Sequence, residues 1–469
     1  MAEQTLSKPS LAPPSWRSRL GLRAQIAAVL LLLLLLAGVI AQAILSRRYG
    51  PEGAVTQYLT ALENGNVDGA YNNSVLGDAG ARVDAKLLDR ASLAGALKLS
   101  RPRFSQLSVQ QSSVDGSTAT VATSYQAAQG LRQTSIQVQR DDSQKQLGIY
   151  PKWRVVVNPA TLSLNLPQGA GALKVDGSPV AVPAARAVRI AVWPSAHRLD
   201  LTATPLLAAT SATIDSTVGG KEEPVQLRPK LTELGVRTSL EAVKSALAAC
   251  ASSSSGSPTG CPQSATNPTV SGTWRLVGDA TTGATVDFDQ QQHLVAVGHY
   301  QMVLTYRQAF ATTDTREAVG GGYKATLALT GDEAKVTGIS SADDAPPASR
   351  PAGATDDLAR VAVETALQQC AAATTVSPYN CPQSDWTAVG AMANVHWTLD
   401  DNPIDAATIS FDGKRSLLQA SGTFKMHVDY DMTGFLSTHY SDKSSTSHFM
   451  ADMLWNGSTL EVVRIAGQP

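Results

Sequence analysis

Hydrophobic positions along this chain change their period several times, and each change marks a different kind of element. Ala24 to Ser46 carries no charge, and Leu30 to Leu36 are all leucine. As a helix that stretch is roughly 33 Å long, enough to cross a bilayer core. Beyond it Val55, Tyr58, Leu59 and Leu62 recur at helical spacing until Asn64-Gly65, and Leu87, Leu88, Leu93 and Leu97 mark a second helix over Asp84 to Lys98. The pattern then shortens to strands at Phe104–Gln110, Ser117–Gln126, Gln133–Gln139 and Trp153–Val157, with Asp115-Gly116 as a hairpin turn. Helices first and antiparallel strands afterwards predict an α+β unit over residues 50–157, a helix layer on a curved sheet.

Residues 160–216 read as strands alone. Leu173–Val175 and Val180 flank Asp176-Gly177, and Val188, Ile190 and Val192 alternate with polar or small residues up to Trp193-Pro194-Ser195. A small β-sandwich is the expectation. Thr217 to Pro229 reads as a linker on its glycines and prolines, as does Ala342 to Gly353.

The remaining chain is a duplication, residues 230–341 and 351–469. Each copy carries Cys-x10-Cys-Pro-Gln-Ser: Cys250 with Cys261, and Cys370 with Cys381, at a constant offset of 120 (370 − 250 = 381 − 261). From Ala242 to Ser264, 12 of 23 positions match at that offset. Val243, Ala246, Leu247 and Cys250 match Val363, Ala366, Leu367 and Cys370, which is the i, i+3, i+4, i+7 stripe of one helix face. Further on, Trp274 answers Trp397 and Phe288-Asp289 answers Phe411-Asp412. Gly298, Tyr300, Met302 and Tyr306 answer Gly422, Phe424, Met426 and Tyr430; Tyr323 answers Phe449. The duplicated unit is a scaffold of one helix, a cross-linked loop and about four antiparallel strands.

Composition narrows the setting. A formal net charge of −1 gives no electrostatic case for nucleic acid as a partner. The four cysteines are evenly spaced in pairs, which in a translocated chain reads as two structural disulfides, Cys250–Cys261 and Cys370–Cys381. Lys8, Arg17, Arg19 and Arg23 precede the apolar segment with only Glu3 opposing, which favours a cytoplasmic tail over 1–23, an anchor in the lipid bilayer over 24–46 and everything else outside. Ala41-Gln42-Ala43 keeps a cleaved signal peptide open as the competing reading.

Candidate chemistry is sparse. No G-x-S-x-G elbow or H-E-x-x-H helix occurs, no lysine has a serine three residues before it, and S-D-N and K-T-G are absent. His427, Asp429 and Asp431 alternate on one strand and would share a face, but the first copy has Val303, Thr305 and Arg307 there, so a solvated polar face is favoured over a metal site. No catalytic residue, metal ligand or cofactor is expected.

Three resemblances add to this. Gly53-Ala54-Val55-Thr56-Gln57-Tyr58-Leu59-Thr60-Ala61-Leu62, Gly69-Ala70-Tyr71 and Tyr150-Pro151-Lys152-Trp153-Arg154-Val155 resemble extracytoplasmic bacterial domains of the NTF2-like superfamily, a fold that hosts enzymes, pocket binders and spacers alike. Val175-Asp176-Gly177 with Val192 to Leu201 resembles the small PEGA-type β modules of bacterial envelope proteins. The whole order resembles TcaA-type envelope proteins linked to cell-wall and glycopeptide responses; those carry a cytoplasmic zinc ribbon of paired C-x-x-C, and this tail has no cysteine. The combined expectation is a non-enzymatic, membrane-anchored extracytoplasmic binding or scaffold protein of the bacterial cell envelope, with a cell-wall or envelope protein as partner. The alternatives are a small-ligand sensor using an NTF2-like pocket and an enzyme of unrecognised type.

Overall fold

The computed structural model describes residues 16–468 apart from 78–82, 100, 102–103, 128–129, 185, 216–221, 309–312, 386–390, 401–402 and 434–437. Among the described residues the chain is mixed α and β, with one N-terminal apolar helix, five sheets and two disulfides. Helix α1 (Trp16–Tyr49) begins inside the stretch read above as a tail, whose first 15 residues lie outside the described ones. From Ile26 to Tyr49 it is long and apolar enough to cross a membrane, and Leu30 to Leu36 are all exposed. By length and composition it is a candidate span or signal segment.

Helix α2 (Pro51–Glu63) follows almost without interruption. Pro51 supplies the fixed φ that suits a first helical turn, and Gly65, at φ +67°, takes the left-handed conformation that stops it. Next come α3 (Val67–Asn72), β1 (Ser74–Leu76), α4 (Arg90–Leu99), β2 (Ser105–Asp115), β3 (Thr118–Ala127), β4 (Gly130–Gln146) and β5 (Tyr150–Val157). The sheet order is β1-β5-β4-β3-β2, with β1 parallel to β5 and the others antiparallel. Val55, Tyr58, Leu59 and Leu62 of α2 pack with Leu93 and Leu97 of α4 against Val121, Tyr125, Ile136, Val138, Trp153 and Val155 of the strands.

Helix α4 starts six residues later than its leucines predict. Asp84 is held in a bridge to Ile190, and Leu87 joins the next core. That core lies between two sheets. One is β11-β10-β7-β8, from β7 (Leu173–Val175), β8 (Ser178–Val180), β10 (Ala196–Leu201) and β11 (Thr210–Asp215). The other is β12-β6-β9, from β6 (Ala160–Asn165), β9 (Ala187–Val192) and β12 (Glu222–Val225). Strand β12 falls in the stretch read as a linker: it pairs in parallel with β6 at the sheet's edge, where Pro224 costs no ladder bond to a further strand. Asp176 and Gly177, at φ +51° and +85°, make the hairpin between β7 and β8. Ala191 and Trp193 pack into the first core, so the first two cores are joined.

The two copies follow. The first has α5 (Glu233–Ala251), β13 (Gly272–Leu276), β14 (Thr285–Phe288), β15 (Leu294–Tyr306), β16 (Thr315–Thr330) and β17 (Glu333–Ser341). The second has α6 (Asp356–Ala371), β18 (Ala391–Leu399), β19 (Thr408–Asp412), β20 (Leu417–Thr433), β21 (Thr438–Trp455) and β22 (Leu460–Gln468). Each sheet has five strands, one more than the sequence suggested, in the same order, β13-β15-β16-β17 with β14 beside β15, and β18-β20-β21-β22 with β19 beside β20. Threonine caps both helices: Thr232 accepts from the Gly235 amide and Thr355 from the Leu358 amide. A small apolar cluster, Val277, Val303, Ala318, Leu417, Leu454 and Val463, joins one copy to the other.

Candidate functional site

Each shared motif closes a loop onto the end of its helix. Cys250 is bonded to Cys261 and Cys370 to Cys381, with Cα separations of 5.7 and 5.6 Å. The first cysteine of each pair is buried on the helix stripe with Val243 and Leu247, or Val363 and Leu367. The shared glutamine then works on the same turn. Gln263 donates from Nε2 to the Cys250 carbonyl at 2.9 Å, and Gln383 donates to the Cys370 carbonyl at 2.7 Å. The last carbonyls of a helix have no intrahelical donor, so a buried helix end needs such a partner. Trp274 Nε1 donates to the Ser255 carbonyl and Trp397 Nε1 to Thr375, tying down the middle of each loop. The shared aspartate is also spent locally. Asp289 Oδ1 accepts from the Gln291 and His293 amides, and Asp412 Oδ1 from those of Lys414 and Arg415. Burial pushes the Asp289 carboxyl up, but the His293 amide and ring and the Gln291 amide hold it below its ordinary value.

Some of the differences between the copies lie beside this loop. Tyr300 Oη donates to the Pro262 carbonyl at 2.9 Å, and its position in the second copy is Phe424, which has no hydroxyl. There Tyr430 Oη bonds Asp385 at 2.8 Å, and Lys443 Nζ lies 3.3 Å from the same carboxylate. The second copy's loop also borders an open groove of about 870 Å³ at the junction of the copies. Tyr306 and Thr315 line it from one side; Tyr379, Asn380, Ser444 to Ser447 and Arg464 line it from the other. Thr315 donates to Tyr379 Oη at 2.7 Å across the junction. Hydroxyls, amides and one guanidinium suit a hydroxylated or carbonyl-bearing partner and offer no nucleophile–base pair.

Two further hollows lie nearer the N-terminus. A cleft of about 1280 Å³ separates the β7–β11 region from the first copy, lined by Gly169, Val180, Arg186, Phe288, Gln292 and His293. One of about 600 Å³ gathers Tyr71, Asn72, Lys152, Arg154 and Trp193. Burial, followed by the neighbouring Arg154 charge, lowers the Lys152 pKa. The inner face of the first sheet is filled by the helices. Tyr58 is buried there, its hydroxyl lacks a hydrogen-bond partner among the described residues, and desolvation raises its pKa.

The strand expected to share a polar face does so, but His427 and Asp431 on it go to separate partners. His427 Nε2 lies 2.6 Å from Asp400 Oδ2, while Asp431 takes His439 Nδ1 at 2.6 Å and Asn394 Nδ2 at 2.7 Å. Among the described residues no three His, Cys, Asp or Glu side chains come together as a metal site. A histidine that the sequence pattern did not single out, His197, is buried, with Nδ1 2.7 Å from Asp176 Oδ2 and Nε2 2.6 Å from the Trp193 carbonyl. A carbonyl only accepts, so Nε2 carries a proton; with both ring nitrogens engaged inside the fold, the ring pins a turn. The Asp-Gly hairpin was visible in sequence, but its partner 21 residues away had no local signal.

No family profile matches the chain, and no curated protein matches it. A solved structure described as "Ntf2 like protein involved in plasmid conjugation" covers 42% of this chain and 79% of its own at 10% identity, with a TM-score of 0.12. A superposition that loose carries no argument about this fold.

Proposed function

We propose that this chain is a membrane-anchored, non-enzymatic binding or scaffold protein of the bacterial cell envelope, with its N-terminus cytoplasmic and its folded part outside. In this reading residues 50–157 are an NTF2-like unit, 160–216 a PEGA-like sandwich, and 230–341 and 351–469 two stapled repeats in a TcaA-like order. The supporting observation is the use of the duplicated polar residues. The shared glutamines and aspartates hold helix ends and turns, while the groove sets the second copy's shared Ser377-Pro378 and Cys381 to Ser384 beside side chains the first copy does not repeat, among them Tyr379, Asn380 and Arg464. A duplicated scaffold with unlike polar side chains at a groove between its copies suits a binding protein. The alternative, a small-ligand sensor in an NTF2-like cone, has less support because α2 and α4 fill that face.

The test is affinity capture from envelope extracts with the full-length chain, comparing wild type with Arg464→Glu and with Ser445→Arg. A specific envelope protein retained by wild type and lost by both variants supports the reading. An identical captured set from all three, with folding unchanged by circular dichroism, overturns the groove as the binding surface.

A further inference from the structure

The hairpin of β4 and β5 reaches well past the rest of its sheet. Strand β3 begins at Thr118, which pairs with Gln139, and β1 begins at Ser74, which pairs with Val155. Residues 140–154 therefore form a two-stranded arm that neither neighbouring strand flanks. A lone hairpin in water is marginal, so an ordered arm calls for a surface to lie on. Its base is held in the first core by Trp153, and nearer the tip Tyr150, at the start of β5, stacks on Tyr49, the last residue of α1, with ring centroids 5.5 Å apart.

The tip of this arm has the wrong chemistry for an exposed turn. Leu147 and Gly148 take φ +50° and +73°, the conformation that hairpins give to Asn, Asp or Gly. A leucine there is strained, and its side chain is 65% exposed, so no packing against protein repays the strain. Ile149, beside it, is 76% exposed, more than any other large apolar residue described, including those of α1. The arm's charges are Arg140, Asp141, Asp142, Lys145, Lys152 and Arg154, a net +2 by count (four basic, two acidic). Asp142 is paired with Arg140, Asp141 with Arg154, and Lys152 donates to Gln144, which leaves Lys145 exposed near the tip, on the arm that meets the end of α1 through Tyr150.

We propose that Leu147 and Ile149 insert into the interface of the lipid bilayer beside the point where α1 leaves it, making the β4–β5 tip a second membrane contact that fixes how the first folded unit stands on the membrane. The inference rests on the reading of α1 as a membrane span. Its occupant is lipid because the tip adjoins the end of that span, the stacked tyrosines are of the type that sit at headgroup level, and the exposed Lys145 near the tip, with Arg47 and Arg48 in the last turn of α1, suits lipid phosphates.

The experiment uses the full chain in nanodiscs of phosphatidylethanolamine and phosphatidylglycerol. The described cysteines are all in disulfides, so Leu147→Cys, Ile149→Cys, Leu34→Cys and Val361→Cys each add one labelling site for an environment-sensitive fluorophore. Quenching by lipids spin-labelled at shallow and deep positions then reports depth. The expected result is shallow quenching and a blue shift at 147 and 149, deep quenching at 34, and neither at 361, an exposed apolar position on α6. If the 34 probe is quenched while 147 and 149 behave like 361, the interfacial contact is wrong and the span stands. If the 34 probe is also unquenched, the span reading fails and takes this inference with it.

Discussion

Gln383 sits at a buried helix end where three small changes carry costs of two sizes. Its Nε2 serves the Cys370 carbonyl, but its own Oε1 is buried without a partner among the described residues, and Gln263 repeats both features. Replacing Gln383 with alanine orphans the carbonyl and at the same time removes an unsatisfied oxygen. The loss should therefore sit at the low end for a buried hydrogen bond, about 1 kcal/mol. Gln383→Glu sets a carboxylate against a carbonyl in the same buried place and should cost several times more, about 3 kcal/mol or above. Cys370→Ser with Cys381→Ser opens a loop of sequence separation 11, for which the chain-entropy argument gives about 3 kcal/mol. Chemical denaturation of the three variants should give midpoints in the order alanine, then glutamate and the serine pair together well below. A Gln383→Ala midpoint as low as that of the serine pair would mean that the glutamine carries more than one carbonyl. The pairing of cysteines was legible because the motif occurs twice. The glutamine's role was not, since nothing in sequence tells a structural amide from a binding one.

At the scale of elements, the two copies solve one packing problem in the same way. Gly298 on β15 lies opposite Tyr323 on β16, and Gly422 on β20 lies opposite Phe449 on β21. A Cβ at Gly298 would stand 2.6 Å from the Tyr323 hydroxyl, and one at Gly422 would stand 2.9 Å from the Phe449 ring. The glycine makes room for the aromatic ring of its cross-strand partner, which covers the bare backbone. Gly422→Ala should therefore destabilise the second copy by about 1–3 kcal/mol, the usual cost of overpacking, although alanine is normally the better strand residue. Combining it with Phe449→Leu should recover part of that loss in a thermal-melt double-mutant cycle. Both glycines and both aromatics stood out when the copies were compared, as did the helix stripes, because such signals are local and recur. What stayed hidden depends on distant partners. Strand β12 is Glu-Glu-Pro-Val and is a strand only because β6, some sixty residues back by register (222 − 161), offers it an edge. Asp84 is likewise drawn out of a helical pattern by its bridge to Ile190.

Across the whole molecule, the junction of the two copies is where acidity should act. Besides the apolar cluster around Val303 and Leu417, it holds Gln301, which donates to the Ser416 carbonyl, and Glu461, which receives both Arg275 and Arg316. Partial burial pushes the Glu461 carboxyl up, but hydrogen bonds from Arg275 and Arg316 and their charges hold it below its ordinary value. A carboxyl with a depressed folded-state pKa stabilises the structure fully above its unfolded pKa, and that stabilisation disappears as pH falls through the folded one. The junction should thus be intact at neutral pH and loosen only below about pH 4, the ordinary range for a free carboxyl. Arg275 is half-exposed, so screening keeps the contribution to about 1 kcal/mol, enough to couple two neighbouring cores but not to fold either. Scanning calorimetry should accordingly find the copies melting together at pH 7 and apart as the solution is acidified. Glu461→Gln should give the separated pattern already at neutral pH, with little further change on acidification. If the copies of that variant still melt together at pH 7 and separate at the same acidity as wild type, the apolar cluster alone couples them and another carboxylate senses the acid.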